Sequence, residues 1–249
     1  MSEKCCPADS AAALSTTYQP KGVEIDLDGL KCYTNGKGGK SIIVFYDIFG
    51  YNGGRTKQIC DQIADEGYYV ILPDIYDGDF WPADKPIQPE PLSSWFKGFP
   101  WIPYQKERVD KVMAHLQEKG ADQSIGCLGF CAGALSVFHL CANEKLKCGA
   151  SCHPSVQLAG LFGSSPEALA KEIRCPQLLY PASGDLATYK QGGEVFSILQ
   201  EKFADKFVAK EFVDMTHGWV SRGDIKDPKI AADVKSALDG VLSFFKANM

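Results

Sequence analysis

Ser124-Ile125-Gly126-Cys127-Leu128-Gly129-Phe130-Cys131-Ala132-Gly133-Ala134-Leu135 is the stretch whose reading decides the fold. A short apolar run, a glycine-flanked residue and then an apolar helical pattern predict a strand, a sharp turn and a helix. Gly129-Phe130-Cys131-Ala132-Gly133 has the form Gly-x-nucleophile-x-Gly, with cysteine where serine usually stands. Side chains at the two flanking positions would collide as strand and helix close on each other, so glycine is needed at both. The turn presents Cys131 at a helix N-terminus, where the dipole favours the thiolate, the attacking form of the residue. The same five residues also fit a tight turn around a small buried side chain, because cysteine is often buried.

Outward from this stretch the pattern repeats. Residues 41–46 are almost unbroken apolar, typical of a strand buried on both faces, and end at Asp47-Ile48-Phe49-Gly50. A helix is expected over 52–66, with Ile59, Ile63 and Ala64 on one face, then a strand over 68–72 closed by Pro73-Asp74. Residues 23–27 and 31–33, joined through Asp28-Gly29, read as an edge hairpin, and residues 1–20 as a flexible tail before a single domain over 21–249. Downstream, helices are expected over 104–119, to about 143, over 165–171 and 188–203, and over about 228–247. Strands are expected around 149–152, 176–182 and 207–213. Residues 75–103 break the rhythm with several prolines and Phe80, Trp81, Trp95, Phe96, Phe99 and Trp101. They read either as a lid or pocket wall or as a surface loop pinned by aromatics. Alternating strands and helices predict an α/β fold, a mostly parallel sheet flanked by helices on both faces. Such sheets carry their sites at the carboxyl ends of the strands. That edge collects Asp47, Asp74, Cys131, His153, Asp185 and His217.

Composition narrows the function classes. The 249 residues are 45% hydrophobic and 23% charged with a formal net charge of −5, an ordinary globular balance without the concentrated basic surface that nucleic acid requires. The N-terminal residues lack the apolar core of a signal peptide, and no apolar run approaches a membrane span. The ten cysteines include no Cys-x-x-Cys pair, so a structural zinc site is not expected. Together these predict a cytoplasmic protein with mostly reduced thiols, no metal and no organic cofactor, and no exposed apolar stripe argues for more than a monomer. Cys5-Cys6 admits acylation or loose metal binding, or simply a flexible tail.

A thiol nucleophile needs a base, and the base an orienting carboxylate. Asp185, in Ser183-Gly184-Asp185, and His217, in Thr216-His217-Gly218, each follow a predicted strand. They come after Cys131 in the order acid then histidine, the order of the α/β-hydrolases. Asp185 also fits a helix N-cap. His115 and His139 fall within helices, whereas His153 lies on the right edge in a His-Pro-Ser turn and is a candidate for lining the pocket. Two backbone N–H groups, of Ala132 and Ile48, are placed for an oxyanion hole.

These motifs, with Asp47-Ile48-Phe49-Gly50, Pro73-Asp74, Gly184-Asp185 and His217-Gly218-Trp219, resemble the dienelactone hydrolase (carboxymethylenebutenolidase) family over roughly residues 22–247. The resemblance implies an α/β-hydrolase in which Cys131 is nucleophile, His217 base and Asp185 its orienting acid, opening a lactone or cleaving an ester through an acyl-enzyme. Bacterial members carry a thiol-deprotonating glutamate at the position of Asp47, which is one methylene shorter, as in animal relatives. Bacterial members also hold a substrate carboxylate with two arginines. Tyr76-Asp77-Gly78-Asp79 supplies none at the first position, and Arg222 stands one residue later than the second. Candidate substrate-binding or thiol-activating residues are therefore Asp47, Phe49, Trp81, His153, Trp219 and Arg222. Two other readings stay open: a non-catalytic small-molecule binder that keeps the fold, and a redox-responsive protein using neighbouring thiols such as Cys127 and Cys131.

Overall fold

The computed structural model describes residues 7, 10–85 and 87–249, so Cys5-Cys6 lies outside the described residues. In chain order the elements are β1 (Val23–Leu27), β2 (Leu30–Asn35), β3 (Lys40–Phe45), α1 (Thr56–Asp65), β4 (Tyr69–Pro73), α2 (Pro89–Phe96) and α3 (Lys106–Glu118). They continue with β5 (Ser124–Phe130), α4 (Gly133–Leu140), β6 (Leu146–Cys152), α5 (Pro166–Glu172), β7 (Gln177–Tyr180), α6 (Glu194–Phe203), β8 (Val208–Ala209), α7 (Trp219–Arg222) and α8 (Pro228–Asn248). The strands form one eight-stranded sheet in the order β1-β2-β4-β3-β5-β6-β7-β8. Two pairs at one edge, β1–β2 and β2–β4, are antiparallel; from β4 onward through β3 and β5 to β8 every neighbouring pair is parallel.

Burial follows from this layout. All residues of β4, β5 and β7 are buried, as the unbroken apolar runs require of strands covered on two faces. Alternation along β5 sorts the faces. Gly126 lies under Met249 at the end of α8, whereas the next residue, Cys127, places its Sγ 3.4 Å from Cys141 Sγ at the end of α4. Lys246 of α8 pairs with Glu66 at the end of α1, so α1 and α8 share one face and α4 takes the other.

Several boundaries differ from expectation for local reasons. α1 starts at Thr56, not 52, because Gly53 and Gly54 are spent on turns: Gly53 N–H donates to Gly50 O at 2.9 Å, and Gly54 has φ +57. The helix expected over 188–203 is interrupted at Gly192-Gly193, leaving a short 3₁₀ turn over Ala187–Tyr189 before α6. The last strand shrinks to Val208–Ala209, with a single further bridge between Ala182 and Phe212. Residues 75–103 contain α2 and turn most of their aromatics inward, with Tyr76, Trp81 and Phe96 at most 1% exposed, whereas Phe80 is half exposed. Tyr76 packs on Phe96 and Phe99 with ring centroids 5.9 and 4.8 Å apart.

Residues 10–20, expected to be a loose tail, lie against the body. Gly54 N–H donates to Leu14 O at 3.2 Å, and Ala11 N–H donates to His217 O at 2.7 Å. Tyr18 Oη and Lys21 N–H donate to Asp61 Oδ2 at 2.8 and 2.9 Å. Asp61 is fully buried and also accepts from Tyr33 Oη at 2.5 Å and Asn35 Nδ2 at 2.6 Å. A buried carboxylate needs such donors to offset its lost hydration, and half of them come from Tyr18 and Lys21, ahead of β1.

Candidate active site

The elbow is built as its glycines dictate. A Cβ at Gly133 would lie 2.4 Å from Phe45 O, and one at Gly129 would lie 2.5 Å from Gly133 O, so neither position admits a side chain. Between them Cys131 adopts φ +51, a left-handed conformation that a non-glycine residue holds only under strain. Cys131 N–H donates to Cys152 O at 3.3 Å, which ties the turn to the end of β6. The side chain is fully buried.

His217 and Asp185 meet as the chain order predicts. His217 Nδ1 lies 2.6 Å from Asp185 Oδ1, and Asp185 Oδ2 accepts from Ala182 N–H at 2.7 Å. Both side chains are essentially without solvent, which makes each partner necessary to the other. Burial alone disfavours the imidazolium, yet the charges of Cys131 and Asp185, and hydrogen bonds to both, raise the His217 pKa from 6.5 to about 10. Cys131 is thus the electrostatic neighbour of the ring whose Nδ1 side is taken by Asp185.

Asp47 and Arg222 pair with each other. Asp47 Oδ2 accepts from Arg222 Nη1 at 2.5 Å and from Ser221 Oγ at 2.9 Å, while Oδ1 accepts from Phe49 N–H at 2.9 Å. Arg222 also donates through Nε to Ala11 O at 3.0 Å, and its guanidinium lies 4.7 Å from the centre of the Phe49 ring. The two residues singled out for thiol activation and carboxylate binding are committed to one buried ion pair. Trp81 fixes the same turn from outside, its N–H donating to Ile48 O at 2.8 Å and its Nε1 to Lys85 O at 3.1 Å.

The turn after β6 encloses the thiol. His153 is fully buried at φ +42, its N–H donating to Tyr180 O at 2.8 Å. Its ring centre is 5.1 Å from that of His217 and 5.3 Å from that of Trp219. Burial first, then the charges of His217 and Arg222, push its pKa well below the usual value and keep the ring neutral. Ser155, which the sequence reading passed over, places Oγ 3.5 Å from Cys131 Sγ and donates its N–H to Cys131 O at 3.0 Å. The signal for it was the His-Pro-Ser turn, two residues from a strand-end histidine. Ser221 and Ala11, the partners of Asp47 and Arg222, carried no comparable signal.

Among the described residues neither Ile48 N–H nor Ala132 N–H donates a hydrogen bond, so both remain available to a ligand. The pairing suggested for Cys127 and Cys131 is not what the fold brings together: Cys127 faces Cys141, and none of the described cysteines forms a disulfide. No group of three or more His, Cys, Asp or Glu side chains is placed to hold a metal ion among the described residues. No helix there is long and apolar enough to cross a membrane.

Comparison with known proteins bears on what this arrangement belongs to. The model of the dienelactone hydrolase family matches residues 28–249. A carboxymethylenebutenolidase homolog of Rattus norvegicus is 28% identical over 228 residues, covering 87% of this chain and 86% of the relative. An AIM2 family protein of Schizosaccharomyces pombe is 32% identical over 261 residues, covering 98% and 99%. The crystal structure of a dienelactone hydrolase, so described provisionally, from Klebsiella pneumoniae superposes with a TM-score of 0.61 at 18% identity, covering 96% of this chain and 99% of that one, a likeness of fold.

Proposed function

Given that the chain belongs to the dienelactone hydrolase family, an α/β-hydrolase fold, we propose that it opens a lactone or cleaves an ester through an acyl-enzyme, a thioester on Cys131. The observation that carries this reading is the short His217–Asp185 contact, 2.6 Å, beside a thiol held on a strained elbow. Cys131 Sγ attacks the carbonyl carbon, and the oxyanion accepts from the N–H groups of Ala132 and Ile48. Collapse breaks the acyl C–O bond, and the leaving oxygen takes the proton held on His217 Nε2. Water, giving its proton to the same nitrogen, then hydrolyses the thioester. Asp185 holds the ring in the tautomer that leaves Nε2 facing the thiol. Phe49 and Trp219 supply apolar walls, and Asp47 with Arg222 fixes the turn that carries Ile48. The substrate is a small molecule, a lactone, thioester or activated ester, and the enzyme acts as a cytoplasmic monomer without metal or organic cofactor.

The test is iodoacetamide labelling across pH, with mass mapping of the modified cysteine, alongside hydrolysis of p-nitrophenyl acetate. Rapid labelling of Cys131 well below the ordinary thiol range of about 8.5, lost in His217→Ala, together with ester hydrolysis lost in Cys131→Ala, supports the reading. Complete burial of the thiol favours the alternative of a non-catalytic binder. That alternative predicts no labelling of Cys131 in the folded protein and no burst of p-nitrophenol.

A further inference from the structure

His153 combines two costs at one position. Its backbone sits at φ +42, outside the ordinary range of a residue with a side chain. Its ring is fully buried, yet neither Nδ1 nor Nε2 has a hydrogen-bond partner among the described residues. A buried imidazole with both nitrogens unanswered is unfavourable in the resting protein. A second such group adjoins it: Trp219 Nε1 is also buried without a partner, with the two ring centres 5.3 Å apart. The fold thus sets an unsatisfied imidazole against the His217 ring, with the unsatisfied Trp219 Nε1 behind it.

Their side of the thiol is defined by the sheet order. The N–H groups of Ile48 and Ala132 lie where β3 and β5 end, whereas His153 ends β6, on the opposite side of β5. With the oxyanion directed toward β3, the departing oxygen faces β6 and His217. We infer that His153, assisted by Trp219 Nε1, hydrogen-bonds the leaving-group side of the substrate, selecting lactones and esters whose departing oxygen is strongly basic or carries a neighbouring hydroxyl or carbonyl. As Sγ–C forms and C–O breaks, the electron pair goes to the departing oxygen and the proton comes from His217 Nε2; His153 contributes a hydrogen bond and transfers no proton. A neutral ring suits this task, since it donates from one nitrogen and accepts at the other. The inference rests on the proposed acyl-enzyme mechanism.

The experiment compares wild type, His153→Phe and His153→Asn on two substrates, δ-valerolactone with its alkoxide leaving group and p-nitrophenyl acetate with a leaving group that departs unaided. In His153→Phe the ratio of kcat/KM for the lactone to that for the aryl ester falls roughly 10- to 100-fold, the worth of one buried hydrogen bond. His153→Asn, which keeps a donor and tolerates positive φ, recovers part of that ratio. Melting temperatures of both variants are read alongside, because Phe at positive φ adds strain while removing an unsatisfied buried polar group. An unchanged ratio, with both activities lowered together or neither lowered, overturns the inference while leaving the thiol mechanism standing. If wild type hydrolyses neither substrate, or Cys131→Ala hydrolyses both as wild type does, the proposed function falls and this inference with it.

Discussion

Asp185→Asn is the sharpest perturbation of the site. His217 is raised from 6.5 to about 10 despite complete burial, a preference for the imidazolium of roughly 5 kcal/mol at about 1.36 kcal/mol per pH unit. Two anions, Cys131 and Asp185, oppose the burial. Removing the charge of Asp185 forfeits a large part of that preference, on the order of 2–3 kcal/mol, or roughly 30- to 150-fold in rate. The tautomer adds to the loss. To keep the 2.7 Å hydrogen bond from Ala182 N–H, the new amide must present its oxygen there and its NH₂ to His217 Nδ1. Nδ1 then becomes an acceptor, Nε2 carries the proton, and the ring cannot take one from the thiol. The assay is kcat/KM on p-nitrophenyl acetate together with the pH profile of Cys131 alkylation. In wild type the imidazolium survives to about pH 10, so alkylation stays fast below the ordinary thiol range; in the variant the profile moves to higher pH. A rate within about threefold of wild type with an unshifted profile would refute the reasoning.

Other outcomes follow from the same geometry. Gly133→Ala places a Cβ 2.4 Å from Phe45 O, backbone that cannot swing away, and lowers stability by about 1–3 kcal/mol, read as the midpoint of urea unfolding; an unchanged midpoint contradicts the close approach. Asp61→Ala removes the acceptor of Tyr18 Oη and Lys21 N–H, and protease cleavage near residues 10–20 accelerates, whereas equal cleavage rates would show that the stretch is held otherwise. Thermal stability is greatest near neutral pH. On the alkaline side His217, whose folded pKa of about 10 exceeds its unfolded 6.5, withdraws its contribution as pH rises between those values. On the acid side His139, depressed by burial to about 4, withdraws its contribution as pH falls from 6.5 toward that value. His139→Phe keeps the stacking on Trp101 at 4.9 Å and flattens the acid limb in calorimetry; an unaltered limb assigns it to other groups.

What the sequence disclosed was whatever local sterics and apolar runs encode. The elbow declares itself through two glycines four residues apart, and β4 and β5 through short apolar runs that the structure buries throughout. Asp185 and His217 were readable because each follows a strand in the sheet whose carboxyl edge must hold the chemistry. The partners of Asp47 were not readable, because an ion pair between residues 175 apart leaves no local trace. Nor was the anchoring of residues 10–20, which depends on donors and acceptors in other elements and not on any periodicity of its own. The shrinkage of the last strand has the same origin: residues 207–213 carry the right composition, but only two of them find a partner in β7.

The route by which the chain reaches this site is set by the span of its contacts. Arg222 binds Ala11 across 211 residues, and Ser221 binds Asp47 across 174. Contacts of such separation carry the greatest loop-closure cost and form late. During vectorial synthesis β3, β5 and the elbow can pair while the ribosome is still extending the chain, but Asp47 waits for Ser221 and Arg222 to emerge. A nascent chain therefore holds Cys131 on a formed turn before His217 exists to protonate or deprotonate it. The thiol therefore meets its base only once the chain has been extended through His217, well after the turn that presents it can form.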